Sequence, residues 1–581
     1  MGLPAAIKAH ANGDISEAAT HYKRAYEQKD FRPVLFQNYG AILREQGDLD
    51  NARKLYKHGL RLFPDHRGIR LNYANLVRPS NPVLSFTIHL SLLQEKILTN
   101  TKDVIASDIL PVAEILESLQ LYHWSYQIGR WALVSIEHHP ALLLLIFKLL
   151  SNSQVDLVTS AEKNYIQSLL EARVSSLPDL QQAEFYYALL ALQLRRQEFD
   201  ACLGTLSKAR QLLSSKSIQS TDDLQKASKL NNVNSWNVAC TLLTHQYFEE
   251  GWKLFEFGLR ATAHGPQKWQ RALPKPFTSD QCPVWRGEPL VAKSLLLLEE
   301  QAIGDVMQFL TLLPNLLDEA EKIYLLLSNR LLPVYRRSFS DYINNGKLVI
   351  VTFDDISCGR ISPSSFDFQS PIGSVCQYRF TDIRQYGSRM PVLRCDQNLS
   401  TKLRQRYLSQ YPGFTKVIGI SWRGGGRGDR IKQKSIDIDK FRDLLTQFSG
   451  VVFVSLQYGQ SSSVVQSWRK VGLPVIHDSD INPLKNMDAW HAQVAACDAV
   501  ISVANTTIHG AGGLHIPTQC FLSLDSDWRW LKNSSVKRSY WYPSVGIARQ
   551  SENGEWSSAF SEVRSWVESG FPLPEGPQYL S

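Results

Sequence analysis

The sequence predicts an α + α/β protein: an all-α helical solenoid over 1–262, a connection over 263–284, and two open-sheet α/β halves, 285–385 and 386–581. Three observations carry this expectation. A 34-residue self-similarity opens the chain, short apolar runs begin to alternate with helical segments after residue 290, and 581 residues with 44% apolar content must be housed. A chain of that length exceeds one hydrophobic core, and its apolar content is enough to fill about three domains.

The solenoid rests on "GDISEAATHYKRAYE" from Gly13 and "GDLDNARKLYKHGLR" from Gly47, which match at Gly13/Gly47, Asp14/Asp48, Ala18/Ala52, Tyr22/Tyr56 and Lys23/Lys57. Asn38-Tyr39 and Asn72-Tyr73 keep the same offset of 34. In this period the stretch resembles the tetratricopeptide repeat family, which implies a helix-turn-helix unit in which small residues let two helices approach and aromatics fill the groove between them. A weaker copy, "NVACTLLTHQYFEEGWKLFEFGLR", sets Asn237, Gln246, Gly251 and Phe255 where Asn38, Gly47, Ala52 and Tyr56 stand, which carries the solenoid to about residue 260. Between them, 78–230 reads as helical from its periodic leucines but without a clean register, as divergent repeats.

A connection containing Pro266, Pro274, Pro276, Pro283 and Pro289 follows. The strand candidates are then "SLLLLEE", "KIYLLLS" and "KLVIVTF", and, after an irregular stretch at 376–414, "KVIGISW", "VVFVSLQ", "PVIHD", "DAVISV" and "TQCFLSL". Strands separated by helices are the grammar of an open parallel sheet. The irregular stretch divides the two halves.

Charge and cysteine usage exclude several function classes. A net charge of +8, from 63 basic and 55 acidic residues without a run of five or six like charges, is no nucleic-acid tail, although it suits an anionic ligand. Eight cysteines without a C-x-x-C pair or zinc spacing point to reduced thiols in a cytoplasmic compartment and to no metal site. The N-terminus lacks the apolar core of a signal peptide, and "ALLLLIF" at 141–147 is too short to span a bilayer, so a soluble protein without a transmembrane segment is expected.

"SVANTTIHGAGGLHIP" at 502–517 joins a strand to a small-residue helix. In open α/β sheets ligands bind beyond the carboxyl ends of strands, where helix N-termini offer N–H groups and partial positive charge. Thr506 and Thr507 stand at that place, with Gly510, Gly512 and Gly513 allowing close approach. Their hydroxyls either grip an anion or simply cap the helix.

From residue 283 onward the chain resembles the glycosyltransferase domains that follow tetratricopeptide repeats in bacterial proteins, related to heptosyltransferases and more distantly to O-linked N-acetylglucosamine transferase. The likeness rests on ordered blocks: "PVWRGEPL", "EEQAIGDVMQFLTLLP", "VIGISWRG", "KSIDIDKF", "FVSLQYG", "MDAWHAQVAACDAVISVANTTIHGAGG", "DWRWL" and "WYPSVGIARQ". It implies a GT-B module of two Rossmann-like α/β halves facing a cleft. The acceptor lies on the first half and a nucleotide-sugar on the second, without metal or further cofactor.

Carried over residue by residue, the resemblance sets Asp305 of "AIGD" at the first strand-to-helix turn as the base that deprotonates the acceptor; capping the following helix is the alternative. It adds Trp422, Gln457 and Asp527, from "VIGISWRG", "FVSLQYG" and "DWRWL", to the donor side. Arg430, Lys432 and Lys434 are candidates to neutralise the departing diphosphate, or else form a solvated basic loop. The family's Arg-x-Arg-Ser-Ile-like segment has two residues inserted before Lys434-Ser435-Ile436. Asn505, Thr506, Thr507 and His509 match the family's donor turn, whereas Ala504 replaces its acid. That replacement implies an altered donor, weak binding or lost activity. His509 either reaches phosphate or packs beneath the helix. The two "DSD" triplets, at 478–480 and 525–527, resemble metal-holding Asp-x-Asp motifs, but so short a pattern recurs by chance.

The expectation is an inverting, metal-independent glycosyltransferase acting on a protein or peptide docked by the repeats. The alternatives are a glycan or lipopolysaccharide acceptor, and a non-catalytic scaffold whose transferase module has degenerated at Ala504.

Overall fold

The computed structural model describes residues 2–135, 139–151, 159–260, 271, 276–425, 429–459, 461–524, 526–552 and 554–576. The chain forms two compact units, Met1–Leu230 and Asn231–Ser581.

In the first unit the described helices run as consecutive pairs: Leu3–Ala11 with Ile15–Glu27, Pro33–Glu45 with Leu49–Leu62, Arg67–Val77 with Pro82–Asn100, Ala106–Ser118 with Tyr122–Ser135, Pro140–Leu150 with Ser160–Glu171, and Asp179–Arg195 with Phe199–Leu213. The turn inside a pair repeats even where the sequence does not. Gly13 and Gly47 adopt φ of 84° and 81°, and Gln120 and Gln197 take the same left-handed place at 62° and 59°. Gly13 N–H donates to His10 O and Asp14 N–H to Ala9 O; Gln197 N–H donates to Leu194 O and Glu198 N–H to Gln193 O. This closure satisfies the last carbonyls of the first helix. The divergent middle is therefore built of the same units, its glycines exchanged for glutamines. Tyr22 and Tyr56, 34 residues apart, are both fully buried. "ALLLLIF" belongs to the packed middle of this unit, where Leu142 to Phe147 are buried. Among the described residues no helix is long and apolar enough to cross a membrane.

The second unit, Asn231–Ser581, includes the helix Phe248–Phe255 along with the sheets. The reason is aromatic packing. Trp252 and Phe255 of the helix Phe248–Phe255 lie against Phe309 and Trp528 of the α/β region. Ahead of this helix, Gln246 repeats the left-handed turn with φ of 70°.

Two parallel sheets follow. The first contains β1 (Ser294–Leu298), β2 (Lys322–Leu326), β3 (Leu348–Val351) and β4 (Phe368–Pro371), in the order β3-β2-β1-β4. The second contains β5 (Lys416–Ser421), β6 (Val451–Ser455), β7 (Val475–Ile476), β8 (Ala499–Val503), β9 (Thr518–Leu522) and β10 (Val545–Arg549), in the order β10-β9-β8-β5-β6-β7. The second order is that of a complete Rossmann sheet, and the first is its four-strand counterpart. The α + α/β class with two Rossmann-like halves is as expected. Strand order reverses between β1 and β4 and between β5 and β8, and ligands of such sheets bind outside the strand ends at those reversals. β4 and β10 are additions to the expected strands, and the irregular stretch at 376–414 holds the polar helix Gln397–Ser409. Ile418, Ile420, Phe441, Phe453, Trp468, Ile501 and Phe521 form the core of the second half.

Candidate functional site

The second sheet's reversal is stapled by three polar side chains. Ser421, at the end of β5, is fully buried; its Oγ donates to Gln457 Oε1 at 3.0 Å and accepts from Asn505 Nδ2 at 2.8 Å. Gln457 Oε1 also accepts from Arg423 N–H at 2.9 Å, and Asn505 Nδ2 also donates to Arg423 O at 3.1 Å. The ends of β6, β5 and β8 are thereby held at one spacing. Asn505 Oδ1 in turn accepts from Thr507 N–H at 2.8 Å and caps the helix Thr506–Gly513. A capped N-terminus at a strand-order reversal is the arrangement that receives phosphate in Rossmann sheets.

That helix faces the first half. Gly304, in the helix Ile303–Phe309 after β1, approaches so closely that a Cβ would stand 2.9 Å from His509 Cδ2 and 3.7 Å from Thr506 Oγ1. His509 Nδ1 and Tyr542 OH are 3.0 Å apart. Burial pushes the imidazole down to about 4, and although Asp305 and Asp527 oppose this, the ring is neutral at ordinary pH.

Next to Gly304 begins a row of four alternating charges. Asp305 Oδ2 accepts from Ala302 N–H at 3.0 Å, which caps its own helix, and Oδ1 accepts from Arg529 Nε at 2.8 Å and also from Arg529 Nη2. Arg529 Nη1 lies 3.3 Å from Asp527 Oδ1, and Lys434 Nζ donates to Asp527 Oδ2 at 2.9 Å. Burial alone would raise the Asp527 carboxyl, but Lys434 and Arg529 hold it well below the usual carboxylate range. Burial likewise works against the Arg529 charge, and Asp305 and Asp527 outweigh it. The guanidinium lies 4.3 Å over the Trp528 ring, which stacks on Phe309 at 5.7 Å.

The expected site residues therefore divide. Asp305, Lys434, Asp527, Thr506, Thr507 and His509 gather around the meeting of the two helices, Thr507 being buried. Asn505 and Gln457 are placed there too, and their carboxamides fasten strand ends. Trp422 is buried in the core of the second half, 4.8 Å from Trp468 and 6.2 Å from Phe441, so its ring is part of the packing there. The backbone beside it is tied down, since Ile436 N–H donates to Trp422 O and Gly424 N–H to Ser435 Oγ. Lys432 is exposed and lines a shallow hollow with Lys440 and Trp556. The Arg430 side chain lies outside the described residues. In the first "DSD", Asp478 is held by Arg406 and by Tyr407 OH at 2.6 Å, and Arg406 also pairs with Asp480 at 3.0 Å. Asp525 of the second is outside the described residues. Among the described residues no group of three or more His, Cys, Asp and Glu side chains is placed to hold a metal ion.

Arg529, Ser421 and Tyr542 are additions to the site residues read from the sequence. Arg529 belongs to the "DWRWL" block, two residues after Asp527. Nothing in the pattern marks Ser421, a small polar residue closing an apolar strand.

Comparison with known proteins adds the following. Residues 33–76 match the family model of the tetratricopeptide repeat. Protein FlbA of Caulobacter vibrioides is 24% identical over 554 residues, spanning 92% of this chain and 84% of that protein. A glycosyl transferase of family 9 from Veillonella parvula aligns at a TM-score of 0.32 and 12% identity, over 50% of this chain and 92% of its own. The ADP-heptose lps heptosyltransferase II of E. coli gives 0.34 and 10%, over 48% and 99%. An O-GlcNAc transferase variant from Thermobaculum terrenum gives 0.21 and 11%, over 84% and 94%.

Proposed function

We propose that the protein is a glycosyltransferase that moves a sugar from a nucleotide-sugar to an acceptor hydroxyl. One observation carries the reading: a carboxylate following β1 of the first half, Asp305, meets two cations of the second, Arg529 and Lys434, beside the capped helix that follows β8. The ordered sequence blocks of the glycosyltransferase resemblance support it independently. In this reading the diphosphate lies at the N-terminus of Thr506–Gly513, and the nucleotide belongs to the crevice between the ends of β5 and β8. Arg529 and Lys434 take the negative charge of the leaving diphosphate, the task a divalent metal performs elsewhere. Asp305 takes the acceptor proton, and attack opposite the leaving group inverts the anomeric carbon. The helical repeats offer an extended peptide a groove, which makes a protein or peptide the acceptor class.

The test is thermal unfolding of the full chain with UDP, GDP, ADP and TDP and their sugars. A nucleotide at one hundred times its Kd adds about 2.7 kcal/mol by mass action. Failure of every nucleotide to raise Tm would remove the reading. Transfer that persists in excess EDTA supports the metal-independent form, and rescue of lost activity by manganese opposes it. The scaffold reading is favoured by Ala504 together with the full engagement of Asp305. It predicts nucleotide binding, or none, without turnover of any sugar donor.

A further inference from the structure

As a base, Asp305 has two defects in the observed geometry. One oxygen caps its own helix through Ala302 N–H, and the other receives two N–H groups of Arg529. Charge-assisted bonds of this kind stabilise the ionised carboxylate and weaken its hold on an incoming proton. The cations have a matching defect, since Arg529 is shared between Asp305 and Asp527 and Lys434 is paired with Asp527. Charges needed by a diphosphate are already spent on protein carboxylates. A single movement cures both: transfer of the guanidinium fork from Asp305 to the diphosphate.

We infer that Arg529 is a donor-responsive gate, holding Asp305 out of action until a nucleoside diphosphate group takes its place on the guanidinium. The inference rests on the glycosyltransferase reading and deepens it. An arginine suits this role where a lysine does not, because a planar fork keeps one arm on Asp527 while the other exchanges partners. Nη1 faces Asp527, Nε and Nη2 face Asp305, and the Trp528 ring beneath the guanidinium is itself clamped by Phe309, so the fork has a flat surface to turn on. With the fork on the diphosphate, Asp305 Oδ1 accepts the proton of the acceptor hydroxyl. The acceptor oxygen bonds to the anomeric carbon, the bond from that carbon to the phosphate oxygen breaks, and its electron pair leaves with the diphosphate, balanced by Arg529 and Lys434. A donor without an acceptor gains nothing from this release, because the base acts only on a hydroxyl placed against it. Donor binding precedes acceptor activation.

The experiment is calorimetric titration of the full chain with the four nucleoside diphosphates and the matching monophosphates. It compares wild type with Asp305→Asn, Asp305→Ser, Arg529→Lys and Arg529→Gln, each checked for folding by circular dichroism. Asp305→Asn and Asp305→Ser both leave an acceptor for Ala302 N–H while removing the charge that competes for Arg529. They are expected to bind the preferred diphosphate about tenfold more tightly than wild type, within the range of ordinary coupling energies, with little change for the monophosphate. Arg529→Gln should weaken diphosphate binding by a similar factor, and Arg529→Lys should recover part of it. A folded Asp305→Asn or Asp305→Ser that binds the diphosphate no better than wild type overturns the gate while leaving the transferase reading standing. Absence of binding of any nucleotide to wild type overturns both.

Discussion

Loss of the Asn505 carboxamide should destabilise the second half before it alters any chemistry. In Asn505→Ala the cap on Thr507 N–H disappears, a loss of about 1 kcal/mol. The bonds from Nδ2 to Ser421 Oγ and Arg423 O disappear as well, each worth about 1 kcal/mol net. Ser421 keeps Gln457 as a partner, and Arg423 is exposed enough for its carbonyl to find water, so no further penalty for orphaned groups is added. The expected loss is therefore about 2–3 kcal/mol. Asn505→Ser restores the cap alone and should recover about 1 kcal/mol of it. Asn505→Asp keeps the cap but sets a carboxylate against the Arg423 carbonyl and beside the proposed diphosphate, so it should also weaken nucleotide binding. Urea unfolding followed by tryptophan emission is the suitable assay, because Trp124 and Trp131 are the only members of the 14 tryptophans that precede residue 231. The signal reports the sheet-bearing unit. An Asn505→Ala protein within about 0.5 kcal/mol of wild type would refute the staple, since surface changes away from specific features stay in that range.

Three other outcomes are expected. His491 and His509 are both driven by burial from 6.5 to about 4, so the folded state binds their protons less readily than the unfolded chain. Stability from this source is complete above pH 6.5 and is lost as pH falls toward 4, by up to about 3 kcal/mol for each ring; urea midpoints at three pH values test this, and His491→Asn, which can still donate to Met487 O, should make the fall shallower. In Gly304→Ala the new methyl meets His509 Cδ2 at 2.9 Å, on a ring already held by Tyr542. Overpacking of about 1–3 kcal/mol outweighs a helix-propensity gain of about 0.5–1 kcal/mol, so the variant should be less stable than wild type in the same assay. Gln197→Gly relieves a left-handed residue at φ of 59° and should raise stability by up to about 1 kcal/mol, seen as a higher helical melting temperature; a lower one would show that the side chain carries more than the turn does.

What could be read in advance divides along physical lines. The paired helices near the N-terminus were visible because Gly13 and Gly47 mark the left-handed turn. The middle pairs could be read as divergent repeats but without a register, because Gln120 and Gln197 adopt the same φ and hide the mark while the backbone hydrogen bonds persist. Continuous apolar runs gave away β1, β2, β5, β6 and β8. β4, four residues closing on Pro371, and β10, which carries Gly546, are edge strands with weak signals of their own. The capped helix at Asn505 followed from residue type and position. The packing of the Trp422 ring did not, since nothing in the sequence around a tryptophan ending a strand points to Trp468 as its neighbour. Arg529 escaped because its meaning lies in a partner 224 positions away.

The alternating row from Asp305 to Lys434 also governs how an anion would arrive. Two acids and two bases in sequence cancel one another beyond their own spacing, so the row projects little long-range field. The row itself lends a nucleotide-sugar little steering, where an open cationic funnel accelerates encounter and loses that advantage in salt. Discrimination would then fall to the dwell after contact, when a ligand must offer enough negative charge in the right shape to outbid a carboxylate. In a chain with a surplus of +8, these four charges act only at close range.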